Sequence, residues 1–332
     1  MKNRRYLLKS RPQGSVSRSN FSFVEENVPA VGLGEVLVRN QFISLDPTHR
    51  IWMADIPQYM PPIALGEVIR SIGLGVVEES KAEGFAKGDL VRGMVGWQDY
   101  SLHAAKALEK LPAAWDVPGS SLLSVLGLTG TTAYIGLLDF ASPKAGETVV
   151  ISGAAGAVGS VAGQIAKIKG MKAFGIAGSE EKCRWLTDEL GFDGAVNYRD
   201  PEWRDKLGAL CPQGIDVYFD NVGGEVSDAV WSRMNLNGRV VICGLISEYN
   251  QDTRDAGPKN YPLILTKRLT VRGFIVSDDP ARVATATKDL YQWVREGRIQ
   301  YKEDIVSGLE NAPEALNKLF DGSNSGKLLL RI

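Results

Sequence analysis

From about residue 131 the chain alternates strand-sized apolar runs with amphipathic stretches, the rhythm that βαβ units on a parallel sheet produce. The apolar runs cover residues 148–152, 172–177, 194–197, 215–220, 239–245 and 270–274. Helical periodicity covers 158–169, 179–189, 203–210 and 226–234, and a longer helix is predicted over 282–295. Six strands with helices between them predict a doubly wound α/β sheet of the dinucleotide-binding kind. The earlier part of the chain reads differently. Short β-type runs at 35–42, 66–72, 75–79 and 88–97 are interrupted by Gly and Pro, which predicts a compact, loop-rich β domain.

A length of 332 residues favours two such domains over one. With 38 basic and 39 acidic side chains, no net field would recruit nucleic acid or an anionic membrane, and a small ligand is expected. The longest apolar stretches, 146–152 and 238–246, fall well short of the ~20 residues that span a bilayer. Residues 1–10 are basic but carry no apolar segment of the secretory type, so a cytoplasmic location is expected. A zinc site needs clustered Cys and His. The chain has only Cys183, Cys211, Cys243, His49 and His103, with no C-x-x-C pair, so no metal is expected. An odd cysteine count also argues against a disulfide framework.

The run 148–152 leads directly into Gly153-Ala-Ala-Gly-Ala-Val-Gly159 and then a predicted helix. Small residues here let the backbone approach a pyrophosphate, and a helix N-terminus offers it free N–H groups and partial positive charge. Gly156 and Gly159 take the glycine positions of the fingerprint, and Ala154 stands where the first glycine is usual. A carboxylate that would hold the ribose 2′-OH of NAD is missing at the tip of the next strand, which reads Gly178-Ser179. Lys182 follows and can meet a 2′-phosphate, so NADPH is the expected cofactor. Asn221, in Asp220-Asn-Val-Gly-Gly224, and the segment 243–249 follow the fourth and fifth strands, where ligands of open α/β sheets bind.

Together with Ser44-Leu-Asp-Pro47, Gly96-Trp-Gln-Asp-Tyr100, Thr132-Ala-Tyr134, Phe219-Asp-Asn-Val-Gly-Gly-Glu225, Ile299-Gln-Tyr-Lys302 and Gly308-Leu-Glu-Asn-Ala-Pro313, these segments resemble one family along nearly the whole chain. It is the zinc-independent branch of the medium-chain dehydrogenase/reductases that holds prostaglandin reductases, plant alkenal double-bond reductases and bacterial NADPH-dependent curcumin reductases. The resemblance implies a GroES-like β-rich catalytic domain over 1–125 and 301–332 and a Rossmann NADP-binding domain over 126–300. It implies cofactor contacts from Gly156, Ala157, Val158, Gly159, Lys182, Tyr198, Asn221, Cys243, Gly244, Ile246, Ser247, Tyr249, Phe274, Ile275, Val276 and Asn324, and a homodimer. One departure stands out: relatives continue Asp-Pro with Tyr-Met-Arg, whereas this chain reads Asp46-Pro-Thr-His-Arg50 and places His49 beside a pocket-lining segment.

Reducing a conjugated ketone or aldehyde at its double bond needs hydride at the β-carbon, stabilisation of the enolate oxygen and a proton at the α-carbon. A tyrosine hydroxyl can polarise that oxygen. Tyr59, framed by prolines in Pro57-Gln-Tyr-Met-Pro-Pro62, and Tyr249, after the fifth strand, are the candidates. Trp52, Tyr59, Trp97 and Tyr100 are the expected walls of a pocket for a flat conjugated substrate. An NADPH quinone oxidoreductase and a catalytically silent NADPH-binding protein are the competing readings.

Overall fold

The structure, a computed structural model, describes residues 1–112, 116–251 and 259–332. It divides into two compact units, one of Met1–Leu123, Asp304–Asn324 and Leu328–Ile332, the other of Ser124–Glu303 and Ser325–Lys327. Three residues of the returning C-terminal segment therefore belong to the second unit, which a reading of that segment as one piece does not anticipate.

The second unit is built on six parallel strands in the spatial order Gly194–Asn197, Lys172–Ala177, Thr148–Ser152, Ile215–Asp220, Met234–Ile242, Thr270–Gly273. Numbered along the chain, that order is 3-2-1-4-5-6, the Rossmann arrangement, and the direction of winding reverses between Thr148–Ser152 and Ile215–Asp220. Every residue of Thr148–Ser152 is buried, which is why this strand reads as an unbroken apolar run instead of an alternating one. Val150, Phe174, Tyr218 and Val240 join the core of this sheet with Trp203 and Leu207 of the helix Trp203–Leu210.

Two elements differ from the expectation. The fifth strand runs Met234–Ile242, not 239–245: it starts at Met234, which was expected to end the preceding helix, and it stops at Ile242 because the next donors turn away from the ladder, the amides of Cys243 and Gly244 bonding to the Asp220 carbonyl at 2.8 and 3.1 Å. The segment expected as one helix over 179–189 is α-helical over Glu180–Arg184 and widens to a π-turn over Trp185–Glu189.

In the first unit, a sheet runs Glu303–Ser307, Lys327–Arg331, Glu35–Ser44, Gly73–Ser80, Leu90–Gly93, Glu109–Lys110, antiparallel from Lys327–Arg331 onward, and Tyr100–Ala104 also pairs antiparallel with Glu35–Ser44. The expected strand at 66–72 is not formed, since Val68 makes only an isolated bridge to Leu7. The run at 88–97 shrinks to Leu90–Gly93. A hairpin of Lys2–Leu8 and Phe21–Asn27 was not expected. Its inward side chains Tyr6, Leu8 and Phe21 share a core with Leu316 of the helix Ala312–Asp321 and with Leu328 and Leu330.

Trp97 sits in that core. It is fully buried, with its ring 6.0 Å from Tyr6, 5.6 Å from Phe21 and 5.9 Å from His49. The expectation that it forms a substrate wall is corrected accordingly: the largest apolar surface of the Gly96-Trp-Gln-Asp-Tyr100 segment has been used to seal the β domain.

Candidate cofactor and active site

The glycine turn after Thr148–Ser152 is shaped by its three glycines, Gly153, Gly156 and Gly159. Gly153 has φ +58°, a left-handed conformation that glycine adopts without strain. Gly156 is the N-cap of the helix Ala157–Ile168, leaving the amides of Ala157, Val158 and Gly159 without helical acceptors. A Cβ on Gly159 would lie 2.5 Å from the Gly153 carbonyl oxygen and 2.7 Å from Ala154 Cα, so only glycine lets the helix sit this close to the turn. The segment Ser325–Lys327 flanks the turn, with the Gly326 amide 3.2 Å from the Ala155 carbonyl. This cradle fits a pyrophosphate, whose charge the helix dipole favours.

At the tip of Lys172–Ala177, Ser179 caps the following helix by accepting from the Lys182 amide at 3.2 Å, which places Lys182 in its first turn. Tyr198 lies beside this tip. A Cβ on Gly178 would stand 3.2 to 3.5 Å from the Tyr198 ring, so glycine lets the phenol pack against the backbone. The Arg199 guanidinium stands 5.9 Å from the same ring. Gly178, Tyr198 and Arg199 thus meet at the strand tip, and Lys182 lies with Glu180 and Glu181 in the first turn of the helix that follows.

The switch point holds the group that sequence reasoning missed. The buried Asp220 carboxylate accepts from the hydroxyls of Ser152, Tyr218 and Ser227 and from the amides of Val222 and Gly223. Burial and this carboxylate push the Tyr218 phenol well above its ordinary value, so it stays a donor. Asn221 donates from its side chain to the Ser152 carbonyl at 2.7 Å. The loop 243–249 folds back onto this turn: Ser247 Oγ donates to the Val222 carbonyl at 2.6 Å, and the Leu245 amide donates to Tyr249 Oη at 3.1 Å. Asn221, Cys243, Gly244, Ile246, Ser247 and Tyr249 are therefore brought together.

Past the sixth strand, Phe274 stacks on Phe140 at 4.9 Å and lies against Gly136, while Ile275 is half-buried. Val276 is buried, so its side chain serves packing and only its backbone remains for a ligand. Asn324 belongs to the other unit, its amide 3.4 Å from the Lys318 carbonyl near the end of Ala312–Asp321.

On the β-rich unit, Tyr59 is 47% exposed, and its hydroxyl accepts from Trp52 Nε1 at 2.9 Å. The Arg70 guanidinium lies 5.9 Å from the Trp52 ring centroid. Burial raises the Tyr59 pKa above its ordinary value of 10, and Asp46 acts in the same direction; hydrogen bonds with Trp52 and Thr48 and the charge of Arg70 oppose it. Tyr100 is half-buried and held through its backbone by the Asn3 side chain at 2.9 and 3.0 Å. His49 is fully buried against the rings of Trp52 and Trp97, which makes it a core residue. Burial pushes the thiols of Cys183 and Cys211 up to about 11 and that of Cys243 up to about 12, so all three are protonated near neutral pH. Among the described residues, no group of three or more His, Cys, Asp or Glu could hold a metal ion.

Residues 4–111 match a family model described as the N-terminal domain of oxidoreductase, and residues 157–292 match one described as zinc-binding dehydrogenase. The NADPH-dependent curcumin reductase of Escherichia coli is 42% identical over 100% of this chain and 97% of its own length. The chain belongs to the medium-chain dehydrogenase/reductase family. Its place is in the branch of the curcumin, prostaglandin and 2-alkenal reductases, since pig prostaglandin reductase 1 is 40% identical over 98% of both chains. A crystal structure of CurA from Vibrio vulnificus in complex with NADPH superimposes with a TM-score of 0.93 at 40% identity, covering 99% of this chain and 98% of that one.

Proposed function

We propose that this chain is an NADPH-dependent reductase of the carbon–carbon double bond in conjugated ketones and aldehydes, working without zinc. One observation carries the reading: the glycine turn, Lys182 with Tyr198, Asn221 with the loop 243–249, and Phe274 all lie just past the carboxyl ends of parallel strands, where open α/β sheets bind dinucleotides. The whole-length relatives include an NADPH-dependent curcumin reductase and a 2-alkenal reductase, which supports the same chemistry here.

The dinucleotide, when bound, supplies the hydride. The glycine turn and the helix after it hold the pyrophosphate, and Lys182 holds the 2′-phosphate with a charge-assisted contact. Tyr59 donates its proton towards the substrate oxygen as negative charge develops there, while its own oxygen is kept in place by Trp52 Nε1. Tyr249 is the second candidate for that role. Tyr100 supplies aromatic surface to a flat substrate, whereas Trp52, 5% exposed and part of the same core as Trp97, is corrected from a pocket wall to the residue that holds Tyr59 through its Nε1. The oxidation of NADPH and of NADH, followed with an aryl enone, a simple alkenal and a quinone, tests the reading. Enone-dependent oxidation that prefers NADPH supports it, and turnover of the quinone alone sinks it.

Tyr59→Phe is expected to lower kcat for an aryl enone by roughly 100-fold, the lower range of general-acid effects, and to change KM little. A change within twofold in kcat would remove Tyr59 from the mechanism. A raised pKa keeps the acid form to higher pH, so the wild-type kcat should show no alkaline fall below about pH 10 from this group.

A homodimer and a cytoplasmic location belong to the same proposal. The edge strand Thr270–Gly273 is exposed along its length, with Val271 and, on the neighbouring strand, Leu236 open to solvent, a surface suited to edge pairing with a second copy. Sedimentation at about twice the chain mass of 36.1 kDa, reduced to one chain by Val271→Asp, checks the dimer. Three free cysteines suit a reducing compartment. Among the described residues, no helix is long and apolar enough to cross a membrane.

A further inference from the structure

Asp220 is 1% exposed, so it touches no ligand directly, yet it ties together the segments on which the proposed nicotinamide half of the site depends. Its Oδ1 accepts from Ser152 Oγ at 3.1 Å, Tyr218 Oη at 2.9 Å, the Val222 amide at 3.0 Å and the Gly223 amide at 2.9 Å, and Ser227 Oγ donates to Oδ2. Its backbone carbonyl takes the amides of Cys243 and Gly244. A carboxylate is the side chain that can accept this many donors while offering none, and without them its burial would be costly. Gly223 and Gly224 hold left-handed conformations in the same turn, with φ of +78° and +56°, and two amides of that turn are fixed by Asp220.

The consequence passes through Ser152. Its hydroxyl donates to Asp220, which turns its oxygen lone pair towards the Asn221 amide at 3.0 Å. Asn221 in turn donates one side-chain N–H to the Ser152 carbonyl, which fixes the carboxamide plane and leaves its oxygen and second N–H for a ligand.

We infer that Asp220, acting through Ser152, is the positioning residue that orients Asn221 and the loop 243–249 for the nicotinamide half of the cofactor, an inference that rests on the proposed cofactor reading. The adenosine half is held by a separate cluster at Lys182 and Tyr198, so the two halves are separable by experiment. Asp220→Asn and Ser152→Ala are made in the full chain, and two quantities are read: the dissociation constant of NADPH and the inhibition constant of 2′,5′-ADP. Each variant is expected to weaken NADPH about tenfold, the loss of one well-placed hydrogen bond to a charged group, and to leave 2′,5′-ADP within about twofold. Equal weakening of both ligands, or no change in either, overturns the inference. Should Asp220→Asn fail to fold, Ser152→Ala alone decides, since it keeps the buried carboxylate. A wild-type protein that does not bind 2′,5′-ADP would overturn the cofactor reading itself, and the inference with it.

Discussion

Lys182→Ala is expected to weaken NADPH binding roughly 10- to 150-fold and to leave NADH binding within about twofold, because a hydrogen bond to a charged group contributes about 1.5–3 kcal/mol and each 1.4 kcal/mol is tenfold. The prediction comes from the tip of Lys172–Ala177. There the chain offers Gly178 and Ser179 in place of a carboxylate, and the Ser179 cap fixes Lys182 in the first turn of the next helix. The tip itself carries no carboxylate of the kind that holds a ribose 2′-OH, and the Tyr198 phenol packs beside it, so a 2′-phosphate on Lys182 is the proposed contact. Titration with both nucleotides checks the split. Equal losses for NADPH and NADH would show that Lys182 supports the fold and not the phosphate.

Gly159→Val is expected to have the second large effect, a fall of at least about tenfold in NADPH affinity together with a loss of roughly 1–3 kcal/mol of stability from overpacking. A side chain at 159 would press on two backbone groups, the Gly153 carbonyl and Ala154 Cα, and neither can swing aside as a side-chain end could. The helix Ala157–Ile168 would have to back away from the turn, taking with it the first-turn amides that face a pyrophosphate. Calorimetric binding and a thermal melt measure both parts. Wild-type affinity in this variant would mean that the turn is not where the cofactor's phosphates lie.

How much of this was legible in the sequence depended on burial. Thr148–Ser152, Lys172–Ala177, Gly194–Asn197 and Ile215–Asp220 have the bounds expected from their apolar runs, because strands covered on both faces carry little polar interruption. The fifth strand differs at both ends: it starts at Met234 instead of 239, and at its far end residues 243–245 are apolar enough to continue it, but Asp220 and Tyr249 take their amides. The N-terminal hairpin escaped notice because Lys2–Leu8 and Phe21–Asn27 carry charged residues on an exposed face, and only three inward side chains join the core.

The site divides in the same way. The glycine turn, Lys182 and Asn221 announce themselves through residue type at a set distance from a strand. Asp220 does not, since an Asp at a strand end reads as ordinary turn chemistry, and its five donors come from segments separated by up to 75 positions, Ser152 through Ser227. Trp97 failed in the opposite direction. An aromatic in a Gly-rich segment looks alike whether it faces a ligand or seals a core, and here Tyr6, Phe21 and His49 surround it.

Reduction of the double bond and not of the carbonyl is read from the fate of a labelled hydride. The protein is given an aryl enone with NADPH deuterated at the transferring position of the nicotinamide ring, and the product is examined by proton and deuterium NMR. The expected product is a saturated ketone with deuterium at the β-carbon and a solvent proton at the α-carbon. An allylic alcohol with deuterium at the carbinol carbon, or a label that remains entirely on the nucleotide, would contradict it.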